Sequence, residues 1–143
     1  MSWTRRWHRA GSSLLLIASG MQLALHWQLY VAVDGFDAPR RTLMAAMQAY
    51  ELYGPLGTSM WTALGFFSLA YAALLALFGT SHWILAREAD VRTLRRHALR
   101  NTVLLVGLTL AAAALHPLPQ GLAVLGLATL LFGLAAVPRP GDV

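Results

Sequence analysis

Ser19, Gln22, His26 and Tyr30 follow one another at spacings of three, four and four residues, which on a helix stacks them on one face as a polar stripe. The stripe interrupts an otherwise apolar stretch running from Ser12 to Val33. Polar side chains in such a stretch cost a few kcal/mol in hydrocarbon, so they are where function is sought first. Counting from Ser12 at 1.5 Å per residue, His26 lies roughly 21 Å along a path of about 30 Å, near its far end. The segment that follows brings Tyr50, Glu51 and Tyr53, and Trp61 and His116 fall at a similar depth on later apolar stretches. Gln22, His26, Tyr30, Tyr50, Glu51, Tyr53, Trp61 and His116 thus form a candidate pocket, aromatic and mildly polar. A carboxylate beside an imidazole favours its charged form and can pass protons across it, which suits proton transfer or small-molecule binding. The same residue types serve equally as hydrogen bonds between helices and as an interfacial aromatic belt.

Haem is the cofactor to weigh, since His26 and His116 sit on different helices at the same level and four-helix membrane bundles hold haem between two histidines. His116 immediately precedes Pro117, however, and a cation at a helix C-terminus explains that position without a metal. No cofactor and no metal site is therefore expected. The absence of cysteine removes disulfides, thiolate metal sites, iron–sulfur clusters and cysteine nucleophiles. No phosphate-binding glycine loop, histidine-pair metalloprotease motif or serine nucleophile motif is present, and the expectation leans away from an enzyme.

The elements that position these residues follow from composition. The chain has 143 residues, 57% apolar and 12% charged, about half the charged fraction of an ordinary soluble domain. Its apolar residues come in runs of about twenty, the length that crosses a hydrocarbon core. The expected fold is all-α: a single integral membrane domain over 1–143, built as a four-helix bundle with a short amphipathic helix in its outer loop. Spans are expected at about 12–33, 56–79 with the helix continuing toward 87, 99–115 and 120–137. A signal peptide is an alternative for the first, with a basic start and cleavage after Gly20. The apolar run continues through Leu23, Leu25 and Tyr30 to Val33, which favours a retained anchor. Pro117 and Pro119 force a tight turn between spans three and four.

Every basic residue is arginine, and the eleven sort by side. Nine flank one side: Arg5, Arg6, Arg9, Arg87, Arg92, Arg95, Arg96, Arg100 and Arg139. Only Arg40 and Arg41 flank the other. Retention of arginine in the cytoplasm then places both termini inside, in the inner (plasma) membrane of a bacterium. Such sorted charge is not a nucleic-acid footprint, and no nucleic-acid partner is expected. Near the inner end, Glu88, Asp90 and His97 lie among the arginines of 87–100, a segment suited to an anionic lipid surface.

Between Arg40 and Tyr53, apolar residues at 43, 44, 47 and 50 predict a helix lying on the outer face, started near Pro39 and stopped by Gly54-Pro55. Small residues mark helix contacts: Gly57, Gly65 and Ser68 on span two, Gly107, Ala111 and Ala114 on span three, Gly126 and Gly133 on span four.

The stretch Met60-Trp61-Thr62-Ala63-Leu64-Gly65-Phe66-Phe67-Ser68, the later Leu77-Phe78-Gly79, and a span-one histidine ahead of an outer loop with an amphipathic helix resemble a group of small uncharacterised four-helix bacterial inner-membrane proteins. Resemblance to DoxX-like four-helix proteins is weaker. What the likeness implies is the four-span architecture, without any catalytic residue. Three functions fit: an accessory or assembly component of a membrane system, with lipids and a membrane-protein partner or a second copy as its contacts; an outer-face binder or enzyme for a lipophilic small molecule; and a small transporter subunit. The last fits least, for no acidic residue lies inside a span.

Overall fold

The computed structural model describes residues 2–115 and 118–139, with Tyr53 described by its backbone. The described residues are all-α apart from one small hairpin. Helix α1 (Trp3–His26) continues into a π-helical turn (Trp27–Val31) that ends where the Ala32 N–H donates to Trp27 O at 2.9 Å. Helix α2 (Ala38–Ala49) falls where a helix was expected between the first two long apolar stretches. Asp37 caps it by accepting the Arg40 N–H at 3.0 Å, and Pro39 in the first turn presets the backbone dihedral.

The helix does not run to Gly54 as its periodicity suggested. Tyr50 turns extended, and β1 (Glu51–Tyr53) pairs antiparallel with β2 (Thr58–Ser59). Tyrosine suits a pleated backbone, and Gly57 at φ +58° supplies the left-handed residue that the return needs. The return strand of the hairpin occupies residues that the sequence assigned to span two, so α3 (Met60–Glu88) starts four residues later than expected, capped by Ser59, whose hydroxyl accepts the Thr62 N–H at 3.2 Å.

Only Ala89 and Asp90 separate α3 from α4 (Val91–Leu115), so the arginines from 92 to 100 stand on the first turns of a helix. Asp90 is the cap, accepting from Thr93 N–H and Thr93 Oγ1, both at 2.8 Å. These bonds, the backbone one foremost, hold its carboxyl below the usual carboxylate range. Pro119 opens α5 (Pro119–Ala136), at a position where its missing N–H costs nothing.

Among the described residues, four helical stretches are long and apolar enough to cross a membrane: 3–31, 60–88, 91–115 and 119–136. In the most apolar part of each, at most 17% of residues are buried, so most of that apolar surface faces outward.

The chain forms two compact units, and α1 and α3 contribute to both. The unit made of 1–18 and 75–143 has its core in Ala86, Leu94, Ala98, Ala128, Phe132 and Ala135. The Phe132 ring lies against Gly11, where a Cβ would sit 3.0 Å from it. Gly79 brings α3 against α1 so closely that a Cβ there would meet Leu16 Cγ at 2.8 Å and Ser12 O at 3.1 Å. Gly133 faces Thr102 at 3.7 Å, a contact the small-residue pattern anticipated. Gly107 and Gly126 depart from that pattern: nothing within 4 Å would meet a Cβ at either, because they sit on the open faces of α4 and α5. In the second unit, residues 19–74, Ala63, Ala72 and Phe36 are buried.

Candidate functional site

The polar stripe of α1 lies in the second unit, and its members are engaged by α3. Ser19 donates its hydroxyl to Ala72 O at 2.8 Å, and the Gln22 amide donates to Ser68 Oγ at 3.0 Å. One turn further, the His26 and Tyr30 rings stack with centroids 5.1 Å apart and planes 26° from parallel. Tyr30 stands in the π-helical turn, a backbone feature frequent at functional positions. Its ring also meets Trp61 at 4.8 Å, tilted by 51°, and it presses on Gly65, where a Cβ would lie 3.2 Å from the ring. His26, Tyr30 and Trp61 thus form an aromatic column on a glycine seat. The Nδ1 of His26 is buried and takes no hydrogen bond.

Tyr50 and Glu51 do not complete this group. Tyr50 is 60% exposed, and Glu51 is exposed, with its carboxylate close to Gly54 in its own hairpin. Among the described residues no ion pair or hydrogen bond joins Glu51 to His26. Tyr53 lies on β1 beside them in sequence. His116, the remaining candidate and the second histidine of the haem expectation, lies outside the described residues. No three His, Cys, Asp or Glu side chains converge among the described residues.

A second polar cluster, in the unit of 1–18 and 75–143, escaped the sequence reading. His8 is fully buried, and neither of its ring nitrogens has a hydrogen-bond partner. Its ring meets His82 edge-on at 5.2 Å, and Phe132 closes the triangle at 5.0 Å from His8 and 5.4 Å from His82. His82 Nε2 lies 3.1 Å from the Asn101 amide, while its Nδ1 is buried without a partner. A signal was present: Thr4, His8 and Ser12, all fully buried, extend the stripe of Ser19, Gln22, His26 and Tyr30 backward at helical spacing. The expected span began at Ser12, so Thr4 and His8 fell in the basic segment ahead of it.

Those arginines are partly tied to the protein. Arg5 Nη2 donates to Ala89 O at 2.9 Å, Arg139 lies 3.9 Å over the Trp3 ring, and Trp3 Nε1 donates to Leu134 O at 2.9 Å. Arg9 lies over Trp83 at 5.8 Å. Compared with models of known families, with curated proteins and with solved structures, the chain matches none.

Proposed function

We propose that the chain is a multi-pass protein of a bacterial inner membrane, with both termini in the cytoplasm, that acts as a non-catalytic accessory or assembly component of a membrane system. The observation that carries the reading is the unpartnered glycine faces of α4 and α5. Gly107 and Gly126 have nothing within 4 Å of a Cβ position, and Val103 and Leu110, one turn either side of Gly107, are 63% and 66% exposed. In hydrocarbon there is no hydrophobic drive to cover a face, and close backbone approach at small residues is what joins helices. Two such faces suit a partner helix, whether from another membrane protein or a second copy.

The use of the stripe supports the same reading, since Ser19 and Gln22 are spent on α3 and, among the described residues, no hydrogen bond or ion pair joins Glu51 to His26. A second reading, a binder of a lipophilic small molecule, is favoured by one observation, the unbonded buried Nδ1 of His26.

The test has two arms in intact cells. Reporters fused at the N-terminus, near Arg92 and at the C-terminus should all read cytoplasmic, as nine arginines against two require; an outer signal from a terminus overturns the orientation. A photo-crosslinking residue at 107 or 126 should give one discrete protein adduct that a tryptophan at the other face removes. Adducts to lipid alone would refute the accessory role.

A further inference from the structure

We infer that the arginine-bearing end of the chain carries a specific site for one phospholipid with an anionic headgroup, held in the groove between α1 and α3. The inference rests on the membrane reading above and names a ligand for a surface to which that reading assigns none.

The groove is lined by Ser13, Leu16 and Ile17 of α1 and Thr80 and Trp83 of α3, and encloses roughly 320 Å³. Gly79 makes it. With no side chain there, Leu16 settles against the α3 backbone and forms part of an apolar floor, beside an Ile17 that is 60% exposed. The Thr80 hydroxyl adds little polarity, because it already donates to Ala76 O at 2.7 Å. Hydrocarbon is the matching occupant for such a lining.

Charge is confined to one end. Arg9 lies over the Trp83 ring at 5.8 Å, at the top of the groove. Leu16 is seven residues further along α1, which is roughly 10 Å at 1.5 Å per residue. By helical spacing Arg6 shares the face of Arg9 and Ser13, and Arg87 shares the face of Thr80 and Trp83; both arginines are exposed. Cations and an indole at the rim, with an apolar trough below, reproduce the order of a phospholipid: phosphate, glycerol region, acyl chain. An apolar partner helix would match the trough alone, whereas an anionic phospholipid matches the trough and the exposed cations of Arg6 and Arg87 at once.

The site is read through Trp83, with the full-length chain in bilayers and Trp83 isolated as the difference between wild type and Trp83→Phe. Vesicles of phosphatidylcholine receive either dibrominated phosphatidylglycerol or dibrominated phosphatidylcholine at equal mole fraction, since bromine quenches indole on contact. Quenching by the anionic lipid should saturate at low mole fraction, with a relative affinity several-fold above that of the zwitterionic lipid. An arginine near the surface is worth about 1 kcal/mol, roughly fivefold. Arg9→Gln and Arg87→Gln should each lower the preference by about that factor, and Arg9→Lys should retain it. Thr80→Phe, an exposed position, should block the trough and abolish saturation. Equal quenching by the two lipids in the wild type would overturn the site while leaving membrane insertion intact. A Trp83 shielded from both, in a protein whose other tryptophans are quenched, would show the groove covered by protein and would also overturn it. Failure of every tryptophan to be quenched would sink the membrane reading itself.

Discussion

Replacing Gly79 by alanine separates tight helix contact from ordinary helix propensity within one residue type. In a helix interior alanine is favoured over glycine by about 1 kcal/mol, so an unopposed Gly→Ala change should stabilise. At Gly107 and Gly126 nothing within 4 Å opposes the new methyl, and the full gain is expected there. At Gly79 the methyl carbon would lie 2.8 Å from Leu16 Cγ, 2.9 Å from Leu16 Cδ2 and 3.1 Å from Ser12 O. Leu16 can shift but the Ser12 backbone cannot do so without moving α1, and overpacking of that kind costs about 1 to 3 kcal/mol. Gly79→Ala should therefore be less stable than Gly107→Ala by about 1 to 3 kcal/mol, roughly fivefold to more than a hundredfold in the unfolding equilibrium. Reversible unfolding in mixed micelles, driven by increasing SDS and followed by circular dichroism and tryptophan emission, measures the difference. Adding Leu16→Ala should recover part of the loss, since it removes the nearest obstructing atoms. If Gly79→Ala and Gly107→Ala prove equally stable, the α1–α3 approach at Gly79 is wrong.

Three further outcomes are expected. A double-mutant cycle on Tyr30 and Trp61 should give a coupling of about 0.5 to 1.5 kcal/mol, as for other aromatic pairs, while the cycle on His26 and Glu51 should give none; a clear His26–Glu51 coupling would restore the proton-transfer pocket. His8→Leu should be neutral or stabilising, because neither nitrogen is bonded, whereas His82→Leu strands the Asn101 amide at about 1 to 3 kcal/mol; the same unfolding assay ranks the two. The lowered Asp90 carboxyl contributes stability above the ordinary carboxylate pKa of about 3.9 and loses it as pH falls through the lower folded value. Asp90→Asn should flatten that acid limb, and an unchanged limb would remove Asp90 from its cause.

The apolar runs made the four long helices readable, because twenty residues without charge admit few other structures. Helix ends were less readable. The sequence pattern carried α2 on to Gly54, yet Tyr50 is already extended, since strand pairing with Thr58–Ser59 is a contact that no local periodicity records. The same limit applied to glycine: Gly79 and Gly107 look alike in sequence, and only tertiary structure distinguishes a seat for Leu16 from an open face. At the candidate site, the one-face arrangement of Ser19, Gln22, His26 and Tyr30 was legible from spacing, but their partners Ala72, Ser68 and Trp61 were not all so. Trp61 had been marked by its depth; Ala72 carries no chemical signal, since it contributes a backbone carbonyl.

The hydroxyl bonds within the helices bear on how the chain is made. Ser12, Thr80, Thr102, Thr109 and Thr129 each donate to the carbonyl four residues earlier, at 2.7 to 2.8 Å. Such donors are satisfied as soon as their own helix forms, so they add no toll when a single segment leaves the translocon for lipid before its neighbours exist. Ser19 and the Gln22 amide are different, for their acceptors stand on α3. From the moment α1 enters the bilayer until α3 is synthesised, those two groups are short of partners, and docking of α3 relieves both together. On the membrane reading proposed above, biogenesis would acquire a direction, with α1 short of partners for Ser19 and Gln22 until α3 docks, whereas the hydroxyls of Thr102, Thr109 and Thr129 on α4 and α5 need no other helix.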